Sequence, residues 1–264
     1  MKRPFPFLSR SAPAPAPGPD QTDAPRPRTH TYIVGDLHGR ADLLEPLFAR
    51  IDADIGATAA PEPQLVFVGD YVDFGPDSAL VLRRLMDLSD EFPKNVTCLM
   101  GNHDRMMLDF LADPVRRGPR WLKAGGVATL RSFGLHDPGD TIDPGTLGTV
   151  ARDLATAMPA GMLDWLAARP LSWNSGNVWA VHAAADPYHR MDEQSARVLL
   201  WGHPEFDVLP RNDGAWIVHG HTEVETPTAV EGRINVDTGA WHSGHLTACA
   251  IRPDGQWVFL GSDD

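Results

Sequence analysis

Five short apolar runs in this chain each end in residues that can ligate a cation or move a proton. Val34 leads into Gly35-Asp36-Leu37-His38-Gly39, Val68 into Gly69-Asp70-Tyr71-Val72-Asp73, and Met100 into Gly101-Asn102-His103-Asp104. A fourth run ends in His182 and a fifth in His219-Gly220-His221-Thr222. In an extended segment, residues two apart share a side, so Asp36 and His38 can reach one cation together. A carboxylate can bridge two cations, and amide oxygen and imidazole suit Mn, Fe, Zn, Co or Ni. Any one of these clusters is commonplace by itself. An Asp-x-His pair arises by chance, Gly-Asp is an ordinary turn, and a core histidine is usually just hydrogen-bonded. The ordered set of five points to a metal site.

To converge, these clusters need strands whose carboxyl ends lie side by side, the place where open α/β sheets put ligands. Strands are predicted over Thr31–Val34, Leu65–Val68, Val96–Met100, Val178–Val181, Trp216–Val218, Arg233–Val236, Leu246–Ile251 and Trp257–Leu260. Leu43, Leu44, Leu47, Phe48 and Ile51 have helical spacing between the first two. Val81, Leu82, Leu85 and Leu88 repeat the pattern before the third. This β-α-β-α-β order predicts parallel pairing with helices on the faces. The last three strands have no helical pattern between them and read as a meander. Residues 104 to about 170 read as a helical insertion or cap.

The chain has 264 residues, long enough for a sizeable core without staples. Residues 1–29 are dominated by Pro, Ala and charge and read as a solvated tail, leaving 30–264 as one folded domain with no second linker and no repeat. The formal charge of -12 speaks against a nucleic-acid polymer as partner. An anionic substrate then needs a local reversal of field, which bound cations supply. No apolar run approaches the roughly 20 residues that span a bilayer, so no membrane partner is expected. Cys98 and Cys249, each in an apolar run, read as buried thiols of a reducing compartment. The start, Met1 to Arg10, is too proline-broken for an export signal, and the expected location is cytoplasmic.

The ordered set resembles the calcineurin-like metallophosphoesterases, and within them the bacterial and phage-type phosphoprotein phosphatase branch, from about Thr31 to Thr247. Gly125-Gly126-Val127-Ala128-Thr129-Leu130, Leu199-Leu200-Trp201 and Ile234-Asn235-Val236-Asp237-Thr238-Gly239-Ala240 add to the likeness. The resemblance implies an α/β fold of two packed mixed β-sheets flanked by helices. It implies two divalent metals, manganese first, one held by Asp36 and His38, with Asp70 bridging to a second held by Asn102, His182 and His221. A hydroxide made there near neutral pH would attack phosphorus in line. His103, oriented by Asp73, would be the leaving-group acid.

The departures carry information too. The branch usually has a phosphate-gripping Arg directly after the Asp73 position; here it is Phe74. A second such Arg commonly follows Leu-Leu-Trp; here the run continues Gly202-His203-Pro204. The branch's His-Ala-Gly is His182-Ala183-Ala184. Candidates for a replacement clamp are His203, Arg211, Arg131 and Arg105. Phe74 could stack on an aromatic leaving group or simply pack on the cap. His219, His242 and His245 are left outside the site. The expected activity is hydrolysis of phosphomonoesters on a phosphorylated protein (Ser/Thr or Tyr) or a small phosphoester. The alternatives are a dinucleoside polyphosphate hydrolase, such as one acting on diadenosine tetraphosphate, and a non-catalytic phospho-ligand binder. A pure binder has no need of a leaving-group acid.

Overall fold

Strand β1 (Thr31–Val34) shows why this chain builds in layers. Tyr32 and Val34 face one core and Ile33 another, and all four residues are buried. A strand covered on both faces reads as a continuous apolar run. The computed structural model describes residues 24–139 and 143–263. Among them, helix α1 (Leu44–Thr58) follows β1, then β2 (Gln64–Phe67), α2 (Ser78–Glu91) and β3 (Val96–Cys98). Both strand pairs so formed are parallel, as the alternating pattern predicts.

Five helices then build the cap: α3 (Asn102–Ala112), α4 (Pro114–Trp121), α5 (Val127–Ser132), α6 (Pro144–Ala157) and α7 (Met162–Ala167). The second sheet starts with β4 (Ser172–Ser175) and β5 (Val178–Val181), followed by α8 (Ala196–Trp201), β6 (Trp216–His219), β7 (Thr228–Val230) and β8 (Arg233–Asn235). A one-turn helix, α9 (Ala240–Ser243), leads back to β9 (Thr247–Ile251) and β10 (Trp257–Gly261). The sheets run β10-β9-β1-β2-β3 and β4-β5-β6-β8-β7. Ile33, Val66, Val68, Leu99, Trp216 and Val218 lie in the core between them.

The meander expected at the end of the chain does not form. β8 pairs with β6 and β7 in one sheet, while β9 and β10 make a hairpin beside β1 in the other. The Asp237-Thr238-Gly239 turn carries the chain across. The Asp237 carboxylate accepts from the Gly239 amide at 3.0 Å, and Thr238 Oγ1 donates to the His245 carbonyl at 2.7 Å.

Of the tail expected over 1–29, residues 1–23 lie outside the described residues. Residues 24–28 lie on the β4–β5 turn. Asn177 Oδ1 accepts from the Arg26 amide at 2.6 Å, Asn177 Nδ2 donates to the Ala24 carbonyl, and Ser175 Oγ accepts from the Arg28 amide. Pro25 and Pro27 are buried. Cys98 and Cys249 are buried free thiols, both pushed up by burial, Cys98 to about 12. Among the described residues no helix is long and apolar enough to cross a membrane.

Candidate metal centre and its surroundings

The turns after β1, β2 and β3 are laced to one another before any side chain converges. The Leu37 and His38 amides both donate to the Asp70 carbonyl, at 3.1 and 2.8 Å. Asp104, fully buried at the start of α3, accepts from the Asp70, Tyr71 and Gly101 amides at 2.9, 3.0 and 2.9 Å. A side chain at Gly101 would run into Asp70, and one at Gly220 into the Asp36 carboxylate, so glycine is what lets these turns close up.

Eight residues named from sequence meet at this crest. Asp70 stands in the middle: one oxygen lies 3.4 Å from His38 Nε2 and the other 3.5 Å from His182 Nε2. Asn102 Oδ1 lies 2.7 Å from His182 Nε2 and 2.8 Å from His221 Nδ1. Asp36 Oδ2 accepts from the His221 amide at 3.0 Å, and Asp36 Oδ1 lies 4.0 Å from His182 Nδ1. His103 Nδ1 meets Asp73 at 2.7 Å, and its ring centroid is 4.9 Å from that of His38. Two sets of ligand atoms each close within 4.8 Å, His38 with Asp70 and His103, and Asp70 with His182 and His221. Asp70 belongs to both.

Backbone strain is concentrated here. His38, Asp70, Asp73, Phe74 and His221 have positive φ, five of the eight such non-glycine residues among those described. Such conformations cost free energy and persist where the surroundings over-determine them, which is typical of functional sites.

The electrostatics call for cations. Burial is the leading cause that pushes Asp36 and Asp70 well up, Asp104 to about 7 and Asp237 to about 6. Among the described residues no Lys or Arg pairs with any of the four. Asp36 Oδ1 is buried without a hydrogen-bond partner. Burial also pulls His38 down to about 3 and lowers His182 and His221, so these rings are neutral and free to ligate. His38 Nδ1 sits 2.8 Å from the Val72 carbonyl, which assigns it the proton and leaves Nε2 to face inward. Acidic oxygens, neutral imidazoles and an orphaned carboxylate oxygen fit a pair of divalent ions.

The His103–Asp73 pair has its own scaffold. Trp121 Nε1 donates to both Asp73 oxygens at 3.1 Å, and Thr129 Oγ1 donates to one at 2.7 Å. Trp121 is fully buried and stacked on Phe110, with ring centroids 4.7 Å apart. Burial pushes Asp73 up and His103 down to about 4. The donors aimed at Asp73 favour its anion, and an anion at 2.7 Å favours a proton on His103.

The four clamp candidates are all engaged elsewhere. Arg105 pairs with Asp109, Arg131 with Asp137, and Arg211 with Asp213 and the carbonyls of Asp186 and His189. His203 lies 3.6 Å from Asp186. His219 is buried against Phe206, His242 pairs with Glu223, and His245 with Asp263.

Sequence reasoning missed Arg120. Its guanidinium lies 4.7 Å over the Trp201 ring, and its charge is the second cause, after burial, that lowers His103. Among the described residues it has no carboxylate partner. It missed Trp241 as well. The Trp241 ring stacks on Phe74, with centroids 4.7 Å apart and planes 24° apart. The Asp-Thr-Gly-Ala motif stops one residue before Trp241, whereas Arg120 meets the Trp of Leu-Leu-Trp only in the fold.

A model of the calcineurin-like phosphoesterase family matches residues 29–225. Over 249 residues the chain is 27% identical to an asymmetrical bis(5'-nucleosyl)-tetraphosphatase of Oceanobacillus iheyensis, covering 87% of this chain and 91% of that protein. It is 31% identical over 159 residues to a symmetrical bis(5'-nucleosyl)-tetraphosphatase of Janthinobacterium sp., covering 60% of this chain and 44% of that one. The fold is shared with a protein serine/threonine phosphatase of Saccharomyces cerevisiae, with a TM-score of 0.60 and 16% identity over 89% of this chain and 80% of that chain.

Proposed function

We propose, for a chain that belongs to the calcineurin-like phosphoesterase family, that it hydrolyses bis(5'-nucleosyl) polyphosphates at a two-metal centre. The observation that carries the chemistry is the placement of Asp70 in both candidate ligand sets, one oxygen toward His38 and the other toward His182. The substrate reading is supported by the tetraphosphatase relative aligned along most of the chain, and by an aromatic ring, Phe74, at the branch's usual arginine position with Trp241 stacked on it. It displaces the expectation of a phosphoprotein phosphatase. Likeness of fold at 16% identity carries no substrate.

Asp36 and His38 on one side, and Asn102, His182 and His221 on the other, would hold the two ions, with Asp70 between. Bound divalent ions would clamp phosphoryl oxygens and lower the pKa of an attacking water. The protein's own part is to present these ligands in a dry, acidic cradle and to deliver a proton. His103 would donate from its inward nitrogen to the departing oxygen once the negative charge of the bound phosphates has raised it from about 4, while Asp73 steadies the imidazolium at Nδ1. Thr129 and Trp121 keep Asp73 in place. Arg120, stacked over Trp201 and free of any carboxylate among the described residues, is the cation available to the rest of the phosphate chain. The intact His103–Asp73 pair argues against a non-catalytic binder.

Diadenosine tetraphosphate, p-nitrophenyl phosphate and a phosphopeptide, each with Mn²⁺, test the reading side by side. The dinucleotide is expected to have the highest kcat/KM. A phosphopeptide turned over better than the dinucleotide would restore the protein phosphatase reading.

A further inference from the structure

We propose that the stacked Phe74 and Trp241 rings seat a nucleobase of the substrate. The inference rests on the reading of the chain as a dinucleoside polyphosphate hydrolase.

The two rings are 37% and 36% exposed, an open aromatic surface at the lip of the candidate centre. Water gains nothing from such a surface, whereas a base laid on it recovers apolar contact and stacking. The pair is built rather than incidental. Phe74 has φ +62° directly after Asp73 at +75°, so the chain bears strain to aim this ring. The other side of Phe74 meets His38 edge-on, with centroids 5.0 Å apart, and His103 at 5.1 Å. Trp241 is fixed at its rim: Nε1 donates to Glu223 Oε1 at 2.7 Å, and His242 shares the same carboxylate through Oε2 at 3.0 Å. The preceding residue is tied down too, since the Ala240 carbonyl accepts from Arg40 at 2.7 Å. A flat, rigid, partly open stack suits a planar heterocycle better than a flexible side chain.

Phe74 lies between Trp241 and the rings of His38 and His103, so a base laid on the open part of this stack is held at the rim of the candidate centre, with its phosphates free to reach inward.

The test is calorimetric binding of AMP and of ribose 5-phosphate, which differ by the base alone, to the full chain with Mn²⁺. Wild type is expected to bind AMP about tenfold tighter, within the range of base–aromatic stacking. Trp241→Ala is expected to reduce that preference to under about twofold, and Trp241→Phe to keep most of it. Equal affinity for the two ligands in wild type overturns the seat, and this holds even if Trp241→Ala does not fold. A preference that survives in folded Trp241→Ala also overturns it. A base preference without hydrolysis of the dinucleotide sinks the substrate reading and leaves the seat standing. Hydrolysis without a base preference does the reverse.

Discussion

His103 and Asp73 meet at 2.7 Å, and the carboxylate of this pair is gripped from behind by Trp121 and Thr129. That arrangement fixes which nitrogen faces inward, and on the proposed reading removing the ring removes a proton donor. His103→Ala is expected to slow hydrolysis of an alkyl phosphomonoester by about 10²–10⁴. The loss on p-nitrophenyl phosphate should be smaller, because its leaving group needs little protonation. Steady-state kinetics on both substrates decide; equal losses would make His103 structural.

Asp70→Asn should weaken both metals together, since a neutral amide bridges two cations poorly. Metal content after dialysis is the measurement. Two ions retained per chain would remove Asp70 from the bridging position.

Stripping the metal should make stability depend on pH. Asp104 is pushed up to about 7 and Asp237 to about 6, with Asp36 and Asp70 raised as well. Carboxyls raised in the folded state favour folding most when protonated. Their contribution is complete below the unfolded carboxyl range and is lost as pH rises through the folded values. The lowered histidines act in the opposite sense over the same range, so the quantity to read is the rise in melting temperature on adding Mn²⁺, which should be larger at pH 8, where the carboxyls are ionised, than at pH 5. A Mn²⁺-induced rise no larger at pH 8 than at pH 5 would contradict the picture of an unneutralised acidic cluster.

Arg120→Ala should cost about tenfold in kcat/KM on diadenosine tetraphosphate, the size of one charge-assisted hydrogen bond. Arg131→Ala, on an exposed pair with Asp137, serves as the control. Equal kinetics for the two variants would take Arg120 out of the phosphate path.

A chain beginning at residue 30 should melt about 4 °C or more below one beginning at residue 24, given about 1 kcal/mol for each net hydrogen bond lost. The bonds at stake join Arg26 and Ala24 to Asn177 and Arg28 to Ser175. Scanning calorimetry of the two truncations checks it, and coincident melting curves would show that residues 24–28 add nothing.

What was legible in the sequence was local. The strand-end clusters could be read because Asp36 with His38, and Asn102 with His103, sit within a residue or two of each other on apolar strands. β4 (Ser-Trp-Asn-Ser) and the three-residue β7 carry too little apolar pattern to announce themselves. The meander failed because the choice of sheet after Asp237 depends on tertiary partners. The roles of Asp104, Trp121 and Thr129 depend on contacts 33 to 56 residues away. The Phe74–Trp241 stack joins two different loops, and no spacing rule reports it.

The bond from the His221 amide to Asp36 spans 185 residues and links the end of a strand in one sheet to the end of a strand in the other. Closing so long a loop is entropically slow, and contacts of this range form late in folding. Neither sheet can assemble the cradle alone. During synthesis, a ribosome-bound chain that has released only its first half holds Asp36, His38 and Asp70 but neither His182 nor His221. On the proposed reading, competence for hydrolysis waits for the second half of the chain, and metal uptake would serve as a clock for the completion of folding.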